Sequence, residues 1–121
     1  MYRILLVDDD SDMRMIEQMW LKKSYEVETA GSGAEAIEIL KHTDIDIVLL
    51  DYRMPGMDGA ETLRAISEDP LISDVTVFFL TGEDDISALD EHSLEGAAGF
   101  IRKSGGKKAL MEALEAYGNH Q

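Results

Sequence analysis

Cysteine is absent from the 121 residues, so disulfides and thiolate metal sites are excluded. Long apolar runs are missing as well. The longest near the start is Ile4-Leu5-Leu6-Val7, far short of a membrane span. No signal peptide opens the sequence, because a single arginine and a short apolar block lead straight into acids. The expected location is therefore the cytoplasm, with no role at a membrane. Basic residues are scarce: 11 Lys and Arg face 25 Asp and Glu, for a formal charge of −14. A surface that neutralises nucleic-acid phosphates needs the opposite balance, so no direct nucleic-acid binding is expected. Linkers, internal repeats and low-complexity stretches are lacking too, and residues 1–121 read as one domain.

What the chain does have is material for a core. Its hydrophobic fraction is 45% and its charged fraction 30%, the balance of a globular protein. At this length roughly two thirds of the unfolded surface can be buried.

The apolar residues fall in short blocks: Ile4–Val7, Ile45–Leu50, Val75–Leu80 and Phe100-Ile101, with a weaker alternating strand over Glu26–Ala30. Unbroken blocks predict strands covered on both faces, as in a parallel sheet. Helical spacing lies between them. Met13, Ile16 and Trp20 share one face of a first predicted helix. Ala34, Ile37 and Leu40 mark a second, opened by Ser32 and Glu35 in capping-box spacing. Leu63 and Ile66 mark a third, Ile86 and Leu89 a fourth, and Leu110, Leu114 and Tyr117 a fifth. Five strand–helix repeats predict a doubly wound, flavodoxin-like α/β fold. Its five parallel strands run in the order 2-1-3-4-5, flanked by five helices. The seven methionines, Trp20 and Phe100 read as core filling, and His42, His92 and His120 have no ligand spacing.

Polar residues gather at the predicted strand ends. The first strand ends in Asp8-Asp9-Asp10, the third in Asp51, the fourth in Thr81 and the fifth in Lys103. Open α/β sheets bind ligands beyond these carboxyl ends, where the strand order switches. Asp10 and Asp12 read as caps or turn formers for the next helix. Asp8, Asp9 and Asp51 would bring three negative charges into one cleft, which demands a cation. Hard carboxylate oxygens without Cys or His suit Mg²⁺. Three carboxylates, one Mg²⁺ and the Lys103 ammonium sum to zero, a balance suited to phosphoryl transfer with Asp51 as nucleophile. Lys103 and the Thr81 hydroxyl would stabilise the remaining phosphoryl oxygens.

The segments ILLVDDD, LLDYRMPGMDG, FFLTG and AAGFIRK resemble the receiver family of two-component response regulators, in order and spacing, across essentially the whole chain. The resemblance is to receivers of the chemotaxis-regulator type. The resemblance implies that Asp8 and Asp9 hold the metal, with the backbone carbonyl of Arg53 completing its site. It implies that Asp51 accepts phosphate from a sensor histidine kinase or a histidine phosphotransfer protein. Thr81 and Phe100 would be a switch pair, reshaping the face of fourth helix, fifth strand and fifth helix for a downstream target or output domain. Such a domain catalyses only its own phosphorylation and dephosphorylation. Arg53, two residues after Asp51, and Glu83, two after Thr81, would border the phosphoryl group and set its lifetime, while Gly82 leaves entry open.

Two other readings compete. In a haloacid-dehalogenase-like phosphatase Asp8 would be the nucleophile, but Asp51 in its MPGMDG setting would go unexplained. A receiver-like interaction module would take no phosphate, although every polar residue needed for it is present. One departure from the family stands out: proline usually follows the fifth-strand lysine, and here the sequence is Lys103-Ser104-Gly105-Gly106. A cis bond before a non-proline residue costs about 2.5–4 kcal/mol. The Lys103–Ser104 bond is therefore expected to be trans, with the glycines absorbing the altered path.

Overall fold

The computed structural model describes residues 2–82 and 96–119. Five parallel strands, β1 (Arg3–Val7), β2 (Glu26–Ala30), β3 (Ile47–Asp51), β4 (Thr76–Thr81) and β5 (Gly99–Arg102), form one sheet in the order β2-β1-β3-β4-β5. The expected order holds. Four α-helices occur among the described residues: α1 (Ser11–Leu21), α2 (Gly33–His42), α3 (Gly59–Glu68) and the C-terminal helix (Gly106–Asn119). The helix expected around Ile86 and Leu89 lies outside the described residues, as do Glu83, His92 and His120. No described helix is long and apolar enough to cross a membrane.

Because strand residues alternate between faces, an unbroken apolar block feeds two cores at once. Leu5, Val7, Val48, Leu50, Val77 and Phe79 pack with Ala36, Leu40, Leu63 and Ile66. On the other face Ile4, Leu6, Ile47, Leu49, Leu80 and Ile101 pack with Leu21, Leu110 and Leu114. Each fully buried Leu or Ile contributes roughly 1.5–3 kcal/mol of transfer free energy.

The faces of α3 and of the C-terminal helix run as expected, with Leu63, Ile66, Leu110 and Leu114 buried, whereas those of α1 and α2 differ in part. In α1 the buried residues are Glu17 and Leu21, whereas Ile16, Met15 and Met19 are exposed. In α2 they are Gly33, Ala36 and Leu40, and Ala34 faces out. The methionines are not uniformly core either: Met54 is buried, but Met57 joins Met15 and Met19 at the surface. In α1 the inward Glu17 interrupts the apolar stripe of the buried face. Phe100 is a further correction. On β5, at the sheet edge, Ile101 faces the C-terminal helix core and Phe100 turns the other way, 41% exposed.

Local sequence fixes the elements that carry the strand-end residues. Asp10 caps α1 through its side chain, accepting from the Asp12 and Met13 N–H groups. Asp12 sits in the first turn, where an acid complements the helix dipole. Ser32 caps α2 by accepting from the Glu35 N–H, but the Glu35 carboxylate accepts from Gly31 instead of closing the box. After β5, Lys103–Gly105 form a single 3₁₀ turn, every described peptide bond is trans, and Gly106 takes φ +61°. The glycine supplies the turn that the missing proline does not.

Candidate functional site

The strand order brings four strand ends together. Asp8 follows β1 directly, and its N–H donates to the Ala30 carbonyl at 3.1 Å, pinning it to the sheet. Asp51 is the last residue of β3 and pairs with Leu80 of β4. The start of α3 lies hard against it: a Cβ on Gly59 would stand 2.7 Å from the Asp51 carbonyl oxygen, so only glycine fits. Thr81 closes β4, and Lys103 opens the turn after β5.

These side chains meet. The Lys103 ammonium lies 3.0 Å from Asp51 Oδ1 and 3.7 Å from Asp8 Oδ2. Asp8, Asp51 and Thr81 are buried, while Asp9 is exposed at the rim. Carboxylate oxygens of Asp8, Asp9 and Asp51 all lie within 4.8 Å of one another. Asp8 Oδ1 accepts from the Asp10 N–H at 2.9 Å, and the Asp8 carbonyl accepts from Arg14 at 2.7 Å. Among the described residues no donor reaches Asp8 Oδ2, Glu17 Oε1 or Thr81 Oγ1, all three fully buried atoms.

Burial dominates the electrostatics. Asp51 is pushed up to about 6 by desolvation, which the adjacent Asp8 reinforces and Lys103 opposes. Burial pulls the Lys103 ammonium down, but its bond to Asp51 and the nearby acids outweigh that and raise it overall.

The sequence reading missed one member of the cluster. Glu17 enters from α1, 3% exposed, beside Asp8. Desolvation first, then the Asp8 charge, raises it to about 7. The available signal was its place one turn before Leu21, a core position.

The donor set fits Mg²⁺. Only hard oxygens converge, no histidine or cysteine is among them, and a buried carboxylate oxygen is left without a donor. Arg53 is exposed two residues beyond Asp51, and Gly82 directly follows Thr81. Phe100 does not join the cluster. It lies on β5 two residues before Arg102, the register partner of Thr81.

The model of the response regulator receiver domain matches residues 4–115 of this chain. The nitrate/nitrite response regulator protein NarP of Escherichia coli is 33% identical over 119 residues, 95% of this chain and 54% of that protein. The chain thus spans about half of that relative's length. Chemotaxis protein CheY-3 of Vibrio cholerae is 33% identical over 93% of this chain and 88% of its own. Among solved structures, response regulator protein TrrA of Thermotoga maritima, in complex with Mg²⁺-BeF, superposes with TM-score 0.82 at 31% identity, covering 96% of this chain and 98% of that one.

Proposed function

The chain belongs to the response regulator receiver family, and on that footing we propose that Asp51 is its phosphoacceptor in a two-component phosphorelay. The observation that carries the reading is the convergence of Asp8, Asp51, Thr81 and Lys103 from separate strand ends, with Lys103 3.0 Å from Asp51. Asp8, the nucleophile of the rival phosphatase reading, is wholly buried behind that lysine.

The donor is a phosphohistidine on a sensor histidine kinase or phosphotransfer protein. An Asp51 oxygen attacks phosphorus, the P–O bond forms as the P–N bond breaks, and the imidazole nitrogen keeps the electron pair. A group titrating near 6 is mostly ionised at pH 7, so Asp51 can attack. Lys103 then transfers its contact from the carboxylate to a phosphoryl oxygen, and the Thr81 hydroxyl, without another partner among the described residues, donates to a second. Mg²⁺ held by Asp8, Asp9, Asp51 and the Arg53 carbonyl would neutralise charge on the phosphoryl oxygens. The Mg²⁺-BeF complex of TrrA supports this choice of ion, since beryllium fluoride mimics a phosphoryl group. Drawing Thr81 inward makes room beside β5 for Phe100, now exposed, to turn in and reshape the surface offered to an output partner.

Acetyl-phosphate labelling tests the acceptor. Wild type with Mg²⁺ should be labelled, and Asp51→Asn, or wild type in EDTA, should not. Label surviving on Asp51→Asn would refute the assignment. Arg53 and Glu83 are proposed to hinder the water that hydrolyses the acyl phosphate, with Gly82 leaving the donor's path open. Arg53→Ala and Arg53→Asn should therefore shed label faster, by about threefold to tenfold on the scale of positional effects. Unchanged or slower loss would remove Arg53 from that role.

A further inference from the structure

Asp8 is tied down through both polar groups of its own backbone. Its N–H donates to the Ala30 carbonyl at 3.1 Å, and its carbonyl accepts from the Arg14 guanidinium at 2.7 Å, six residues further along. A peptide group is planar, so a carbonyl held in place also holds the N–H and the Cα of the next residue. The bond to Arg14 therefore fixes the Asp8–Asp9 peptide, which joins the two carboxylates that follow β1. The guanidinium reaches this carbonyl while resting against the turn between β2 and α2. A Cβ on Gly31 would stand 3.0 Å from Arg14 Nη1, closer than such contacts normally run. Gly31 takes no positive φ, so its backbone does not require glycine. What the missing side chain provides is room for Arg14. The turn itself is held in place, because the Gly31 N–H donates to Glu35 Oε2 at 3.1 Å in the first turn of α2.

We propose that Arg14 is a positioning residue of the metal site: seated over Gly31, it holds the Asp8–Asp9 peptide so that both carboxylates stay gathered with Asp51 before an ion arrives. Repulsion among three carboxylates within 4.8 Å of one another pushes the exposed Asp9 outward, and a fixed peptide resists it. Arg14 acts from the β2 side of β1, whereas Asp51 lies on the β3 side, so the loop is secured without crowding the cleft. The charge of Arg14 works against this role. A cation bonded to Asp8 repels Mg²⁺, so if charge were all that mattered its removal would tighten metal binding. Positioning has the opposite sign, because the ion must then order a loosened loop and affinity falls. Arg14→Met keeps the apolar stem and loses the donor. Gly31→Val keeps the charge and fills the seat.

The inference rests on Asp8 and Asp9 holding Mg²⁺, and the experiment separates the two claims. Mg²⁺ dissociation constants are measured by NMR titration for wild type, Arg14→Met, Gly31→Val and Asp9→Ala. The temperature is one at which each protein is fully folded, so lost stability alone does not enter. Amide hydrogen exchange of Asp10, whose N–H donates to Asp8 Oδ1 at 2.9 Å, is followed in EDTA. Groups that orient metal ligands alter affinity by about 10–100-fold, and a contact to the ligand's backbone should give about fivefold to tenfold. That weakening is expected in both Arg14→Met and Gly31→Val, with Asp10 exchanging faster than in wild type. Equal or tighter Mg²⁺ binding by Arg14→Met overturns the proposal and leaves the metal site standing. Wild-type affinity in Gly31→Val also overturns it, since the guanidinium then needs no seat, and this variant decides alone should Arg14→Met not fold. Unchanged Asp10 exchange beside a weakened affinity would show that the loop is not what Arg14 holds. No Mg²⁺ binding by wild type, or binding by Asp9→Ala as tight as wild type, takes both claims down.

Discussion

At the carboxyl edge of the sheet Asp8 and Asp51 are buried against Lys103, whereas at the amino edge Asp44, Asp46 and Asp74 rim a groove of about 550 Å³ beside Tyr2 and Tyr117. The groove carries as many aspartates as the metal cluster. Yet its acids are exposed, none lies in a cluster of metal-ligating oxygens among the described residues, and Asp46 is occupied by the Arg3 N–H at 2.8 Å. Solvated acids relax into water, while buried ones must find a cation, a proton or a phosphate. Acidity at a strand end becomes chemistry only where the fold also removes water.

Removing the cation should break the contrast most severely. In Lys103→Met the buried acids lose their one lysine partner, and labelling should fall by at least a hundredfold, on the order of 2.7 kcal/mol of transition-state stabilisation. The metal-free fold should lose about 2–3 kcal/mol, less than the roughly 3–5 kcal/mol of a fully buried pair because Lys103 is partly exposed. Urea unfolding in EDTA measures this. A Lys103→Met protein as stable as wild type would show that its acids are no more confined than those of the groove.

Acid should then sharpen it. Asp51 and Glu17 bind protons more tightly when folded, at about 6 and about 7, than at their ordinary values of 3.8 and 4.5. Between those limits the native state holds more protons than the unfolded chain, so its stability falls as pH rises. The metal-free protein should gain on the order of 3–4 kcal/mol from pH 8 to pH 5. The chain's charge of −14 favours the same trend, so the control matters. An Asp51→Asn, Glu17→Gln double variant should show a clearly flatter dependence, and an equal slope would assign the effect to general repulsion.

How far the pocket and its frame were legible follows the same physics. Strands were placed well because unbroken apolar blocks mean burial on both faces: β2 matched its expected bounds, and β3 ran Ile47–Asp51 against an expected Ile45–Leu50. Once strand order was inferred, Asp8, Asp51, Thr81 and Lys103 followed from position alone. Helix faces are legible in α3 and the C-terminal helix, but in α1 and α2 hydrophobicity favours Ile16 and Ala34 where Glu17 and Ala36 turn inward. A charged residue inside breaks the rule that the reading depends on. Phe100 failed for a related reason, because aromatic size argues for burial while an edge strand leaves one face open. Of these positions Glu17 lies beside the site, where burial serves chemistry and not only packing.

Metal binding should give the smallest stability effect and the most direct separation of the two acidic edges. Mg²⁺ prefers a few carboxylates at fixed separation together with water, and dehydrates reluctantly. The Asp8, Asp9 and Asp51 oxygens, within 4.8 Å of one another, offer that arrangement, and repulsion between them is relieved when the ion arrives. At ten times its dissociation constant an ion that binds only the folded state adds about 1.4 kcal/mol. In a domain of this size that raises the thermal midpoint by about 5 °C. Asp9 supplies an oxygen at the exposed rim without contributing to the core, so Asp9→Ala should abolish the shift and leave the metal-free midpoint nearly unchanged. Neutralising the other edge with Asp44→Asn and Asp74→Asn should leave the shift intact and alter stability by no more than about 0.5 kcal/mol, as surface substitutions generally do. A shift that survives Asp9→Ala but disappears in the groove variants would place the ion at the amino edge. Burial against Lys103 would then have nothing to do with where the metal binds.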